Sequence, residues 1–135
     1  MRDDPRTLVS TGWLAERLGR PGLVVLDASW HLPGSGRDAE AEFRAARIPG
    51  ARRFDIDLLS DRASPLPHMA PPPAAFGEAA AALGVGPGTQ VVAYDSASTL
   101  TGGWTISTAP RDSSTSRYAS FSQVRCTSPI RFWAN

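Results

Sequence analysis

The sequence predicts an α/β layer fold built around a parallel sheet. Three observations carry that reading. Helix-type and strand-type stretches alternate from residue 10 to residue 95, the pattern of strands joined by helical crossovers. The clearest strands, Leu23-Val24-Val25-Leu26 and Val91-Val92-Ala93-Tyr94, are apolar on both faces, as strands covered by helices on both sides must be. Each runs into a carboxylate, Asp27 or Asp95, and open parallel sheets take ligands outside the carboxyl ends of their strands.

In chain order, Ser10 or Thr11 can cap a first helix by accepting from free backbone N–H groups. Trp13, Leu14 and Leu18 share one face of it, and Gly19 with Pro21 stops it. Leu23–Asp27 is the first strand. The loop 29–37 holds Pro33, Gly34 and Gly36, which forbid regular structure. Asp38 can cap a second helix, 39–46, with Glu40 and Glu42 complementing its dipole and Phe43 as its core anchor. Ile48-Pro49-Gly50-Ala51 is a turn: proline presets its first central position and glycine supplies positive φ at the second. Residues 52–57 alternate and predict a short strand passing into a loop. Residues 60–73 are a long irregular segment of the kind that is usually functional or packed on a partner. Pro73 suits the start of a third helix running to Leu83, and Gly84 ends it. Gly86-Pro87-Gly88 turns the chain into the strand 91–95.

After Ser98 the texture changes. Of the 37 residues from Thr99 to Asn135, 13 are Ser or Thr and only Asp112 is acidic. Brief strand-like pieces occur, Trp104-Thr105-Ile106 and Tyr118–Phe121, but no further strand or covering helix is legible. The expectation is a partial α/β domain over 8–98 and an atypical tail over 99–135, either poorly ordered or the product of truncation or a frame shift.

Bulk numbers exclude several classes. The net charge of +1 points to neither nucleic acid nor an acidic partner. The 14 basic residues are all arginine, a codon bias without chemistry. The single cysteine, Cys126, excludes an internal disulfide. The amino-terminal residues lack an apolar run, and the longest aliphatic run is far too short to span a membrane. A cytoplasmic setting is expected.

Several stretches together resemble one family. Leu26-Asp27-Ala28-Ser29-Trp30-His31-Leu32-Pro33 is similar to the opening strand and loop of two-domain rhodanese-type sulfurtransferases, especially the 3-mercaptopyruvate branch. Arg37-Asp38-Ala39-Glu40-Ala41-Glu42-Phe43 with Ile48-Pro49-Gly50-Ala51 resembles their helix-and-turn signature. Phe54-Asp55-Ile56-Asp57, Ser60-Asp61 and Ser64-Pro65-Leu66-Pro67-His68-Met69 form the most specific part. The resemblance covers about residues 8–98, roughly two-thirds of the family's N-terminal domain. It implies a rhodanese-like three-layer α/β/α domain, incomplete at its carboxyl end. Where the family usually has His before Ile-Pro-Gly-Ala, this chain has Arg47, whose bulkier guanidinium cannot accept a hydrogen bond. Beyond Ser98 the family's remaining helix, strand, second domain and cysteine-centred loop are not recognisable.

The resemblance implies sulfur transfer without a cofactor. A cysteine thiolate takes sulfane sulfur from 3-mercaptopyruvate or thiosulfate, and the persulfide passes it to a thiol or cyanide. In the family's N-terminal domain the strand that would deliver the cysteine delivers an aspartate, and Asp95 stands there. A carboxylate cannot form a persulfide, so Asp95 is expected to cap nearby N–H groups. Cys126 is the remaining thiol. No apolar strand leads into it, no glycine frees its loop, and Pro129 deletes a donor N–H, so it reads as incidental. Asp55 and Asp57 on one face of an emerging strand would permit a divalent metal, though loop carboxylates more often cap. His31 and His68 lack partners at zinc-ligand spacing, so no metal site is expected, and His68 reads as a loop hydrogen-bonding group. Arg37 and Arg47 are the candidate substrate-binding residues, with Arg52, Arg53 and Arg62 as further anion-facing possibilities. The reading is the non-catalytic N-terminal part of a sulfurtransferase, inactive alone. The alternatives are a free-standing rhodanese-like binding module and a working single-domain enzyme using Cys126.

Overall fold

The computed structural model describes residues 3–5, 8–96 and 122–124. It holds four strands, β1 Leu23–Asp27, β2 Arg52–Arg53, β3 Gln90–Tyr94 and β4 Ser122–Val124, in the order β2-β1-β3-β4. Every pairing is parallel; Leu26 lies beside Arg52 and Ala93, and Ala93 beside Gln123. Four helices, α1 Thr11–Ala15, α2 Ala39–Ala45, α3 Ile56–Leu59 and α4 Pro73–Ala82, complete the described elements.

Alternation along the strands divides the core into two layers. Leu23 and Val25 of β1, with Val92 and Tyr94 of β3, face α1 and α2, where Leu14, Trp13, Phe43 and Ile48 meet them. Val24 and Leu26 of β1, with Val91 of β3, face the other way onto Phe54, Leu59, Phe76 and Leu83. The three-layer architecture follows: a strand apolar on both faces needs a helical cover on each. The crossover through α2 moves outward from β1 to β2 on one face. The crossover through α3 and α4 returns past β1 to β3 on the other face, so the two share one hand, as the crossover rule requires.

Local chemistry sets the element ends. Ser10 accepts from Trp13 N and caps α1; Asp38 accepts from Glu40 N and Ala41 N and caps α2. Pro49 and Gly50, the latter with φ 76°, form the turn closed by Ala51 N on Ile48 O at 2.9 Å. At the end of α4, Gly84 N bonds Ala81 O and Val85 N bonds Ala80 O, both at 2.9 Å. Gly84 has φ 78°, the left-handed stop that a Schellman motif places there.

Two expectations are corrected. The short strand expected to pass into a loop over 52–57 stops at Arg53 and leads into a helical turn instead. Asp55 takes Asp57 N and Leu58 N on its side chain and turns the chain into α3; a capping carboxylate here outweighs alternation. Asp55 and Asp57 therefore do not share a strand face. Beyond Ser98, where no further strand was legible, Ser122–Val124 adds a strand to β3. Three residues are too few to show a period. Trp104–Ile106, Tyr118–Phe121 and Cys126 lie outside the described residues. Among the described residues no helix is long and apolar enough to cross a membrane.

Candidate functional site

The chain leaves β1 toward β2 and approaches β3 from the opposite side, so the carboxyl ends of β1 and β3 flank a topological switch point, the usual crevice of open α/β sheets. Asp95 and Ser96 follow β3 there. The loop after β1 is fastened across this crevice: Ser96 N donates to Ser29 Oγ at 3.0 Å, and Ser29 N donates to Asp27 Oδ1 at 2.9 Å. Asp27 and Ser29 are both buried. The Tyr94 hydroxyl accepts from Ile48 N at 3.3 Å and feels the nearby Asp27 carboxylate. Burial foremost, then the neighbouring Asp27 charge, push the Tyr94 hydroxyl well above the ordinary phenol range. Arg53, from the end of β2, points Nη1 at the carbonyls of Asp27 and Phe54, both at 3.4 Å.

A second network ties the same loop to α2. Glu42 receives Arg37 Nε at 2.8 Å and Nη2 at 2.7 Å, and His31 Nε2 at 3.0 Å. The His31 side chain is only 5% exposed. Arg37 Nη2 also lies 3.5 Å from Ser96 Oγ, so Arg37 reaches the crevice. Arg47 instead lies over the Phe43 ring, at 5.0 Å from its centroid, with Nη1 donating to Phe43 O.

Hydrogen bonding from Arg37 first, with His31 adding and desolvation opposing, lowers the Glu42 carboxyl from 4.5 to about 2. A carboxyl more acidic folded than unfolded stabilises the fold above its unfolded value, and that contribution is lost as pH falls through the folded value. Stability should therefore decline between pH 4.5 and about 2. Acid unfolding of Glu42→Gln should show a shallower decline in that window; identical slopes would remove Glu42 as the cause. The side chain is 37% exposed, so solvent screening keeps the effect modest.

A third cluster lies where the β1 loop meets α3 and the long loop. His68 Nε2 lies 2.6 Å from Asp57 Oδ1, and Trp30 Nε1 donates to Asp57 Oδ2 at 3.2 Å. The Trp30 and His68 rings meet edge to face at 88°, centroids 5.0 Å apart. His68 is the one described non-glycine residue with positive φ, 55°, a conformation that is uncommon outside glycine and clusters at functional positions. An imidazole held by a carboxylate, its ring 30% exposed, is the arrangement that moves protons in catalysis.

The sequence-predicted residues thus part ways. Asp95, Arg37 and His31 gather at or beside the crevice. Asp57 and His68, read separately from the sequence as a capping carboxylate and a loop group, form a pair. Asp55 caps α3. Arg52 lies over Gly84. Among the described residues no three His, Cys, Asp or Glu side chains converge as a metal set. Sequence reasoning missed the pairing of Asp57 with His68 and the part played by Trp30. No periodicity joins partners across an irregular loop; the only signal was the distinctiveness of the Ser64–Met69 stretch.

The chain is similar to proteins of known activity. It is 55% identical over 95 residues to 3-mercaptopyruvate sulfurtransferase of Homo sapiens, covering 67% of this chain and 32% of that protein. It is 49% identical over 94 residues to thiosulfate sulfurtransferase of Bos taurus, covering 67% of this chain and 31% of that protein. Among solved structures, the crystal structure of SseA from Escherichia coli, a 3-mercaptopyruvate sulfotransferase of rhodanese fold, superposes with a TM-score of 0.60. It is 42% identical, over 65% of this chain and 34% of that one. No family model matches the chain. The chain spans about a third of the length of the curated relatives it matches.

Proposed function

Because this chain is a rhodanese-fold relative of the 3-mercaptopyruvate and thiosulfate sulfurtransferases, we propose that it serves sulfur transfer from 3-mercaptopyruvate or thiosulfate to a thiol or cyanide. In this reading residues 8–98 are the partial, non-catalytic N-terminal rhodanese-like domain of such an enzyme, and 99–135 are an atypical Ser/Thr-rich extension from which Ser122–Val124 joins the sheet. The persulfide forms on a cysteine of a second rhodanese-like domain. The observation that carries the reading is Asp95, which follows β3 at the switch point. Sulfur transfer needs a thiolate at such a strand end, and a carboxylate there cannot hold sulfane sulfur.

What this chain does bring is the His68–Asp57 pair, with Asp57 orienting an imidazole that can give or take a proton as the donor's sulfur bond breaks, carbon–sulfur in 3-mercaptopyruvate or sulfur–sulfur in thiosulfate. Arg37 is the anion-facing candidate, since it reaches Ser96 at the crevice. Cyanolysis by the purified chain, with thiosulfate and then 3-mercaptopyruvate as donor, is expected to stay at the buffer blank. Turnover that vanishes in Cys126→Ser would overturn the reading in favour of a single-domain enzyme.

The second reading, a free-standing binding module, is favoured by one observation: both faces of β1 and β3 are already covered by helices. A cooperative thermal transition of the isolated chain together with a captured partner would support it; a molten product would count against it.

A further inference from the structure

The Asp57–His68 pair stands on insecure ground. The Asp57 side chain is 63% exposed, and α3, which carries it, has only four residues. His68 belongs to an irregular loop that is drawn together by Asp61 N on Met69 O at 2.7 Å. Neither residue is held by the sheet. An exposed carboxylate on a one-turn helix would ordinarily sample several rotamers, so the short contact to His68 calls for a third element.

We infer that Trp30 is the positioning residue that locks Asp57 and His68 together, an inference that rests on the reading of that pair as a proton-handling device. Trp30 touches both members at once. Its indole N–H takes one carboxylate oxygen of Asp57 while His68 takes the other. With both oxygens engaged, rotation of the carboxylate breaks a bond. The indole also meets the imidazole edge to face, which fixes the tilt of the His68 ring. Trp30 is itself well placed to act as a fixed wall. The residue before it, Ser29, is buried and bonded to Asp27 and Ser96. The residue after it, His31, has a nearly covered side chain bonded to Glu42. Trp30 therefore transmits the rigidity of β1, β3 and α2 to a pair carried on loops. A group that holds a catalytic side chain in orientation from behind acts in this way.

The chain contains two histidines, so each can report on its own surroundings. In the full chain labelled with 15N-histidine, the ring N–H protons of His31 and His68 are followed by solvent exchange, with His68→Gln assigning the signals. Trp30→Phe keeps an aromatic face but removes the donor. It is expected to speed His68 ring N–H exchange about tenfold, the equivalent of one lost hydrogen bond to a charged group, and to leave His31 exchange unchanged. Trp30→Leu, which removes the ring contact as well, should show at least the same acceleration. Unchanged His68 exchange in both variants would overturn the inference. Equal acceleration at both histidines, or failure of both variants to fold, would overturn it as well, since Trp30 would then be a general packing residue. A missing His68 ring N–H signal in the unsubstituted chain would instead sink the Asp57–His68 pair itself, a failure distinct from that of Trp30.

Discussion

Asp27→Ala should lower the unfolding free energy by about 2 kcal/mol, a loss set by a buried donor left without its acceptor. Asp27 is 4% exposed. Its carboxylate receives Ser29 N. Alanine strands that donor out of reach of water. The effect also spreads outward, because Ser29 is the residue whose hydroxyl receives Ser96 N across the crevice. Urea unfolding measures the loss. Tyr94→Phe removes the acceptor of Ile48 N, and alone should cost about 1–2 kcal/mol. The double variant should depart from the sum, because the two side chains interact electrostatically. Strict additivity would mean that Asp27 and Tyr94 do not interact.

Leu26→Ala should cost about 3 kcal/mol, within the range for an aliphatic side chain deleted from a packed core. Leu26 is 1% exposed and sits on the strand flanked by β2 and β3. It packs with Phe54, Val85 and Val91, residues of separate segments that cannot all close on the vacated space. Leu32→Ala is the matched control. At 68% exposure its loss should stay within about 0.5 kcal/mol. Comparable urea midpoints for the two variants would contradict the two-layer core described above.

The candidate site has two kinds of support. The crevice between β1 and β3 is framed by strand ends, which are rigid because each strand is hydrogen-bonded to its neighbours and packed on both faces. Asp95 and Ser96 inherit that placement. The Asp57–His68 pair is carried by a single helical turn and a loop, and depends on Trp30 and Asp57 bonding across 27 positions of sequence. Substitutions in the strands should thus register mainly as stability, whereas substitutions around Trp30 should register in the behaviour of one imidazole.

The α/β layering, β1 from Leu23 to Asp27, a cap at Ser10 or Thr11, the cap at Asp38, the turn at Pro49-Gly50 and the stop at Gly84 could all be read from the sequence alone. Each rests on local chemistry: periodic apolar runs, a carboxylate beside free N–H groups, a glycine where φ is positive. The placement of Asp95 at a strand end follows from the same logic. Tertiary structure alone decided that Asp55 caps a helix instead of extending β2, that Ser122–Val124 joins β3, and that Trp30, Asp57 and His68 converge. Those outcomes depend on contacts between residues far apart in the chain, and sequence periodicity carries information only about neighbours that share a face of one element.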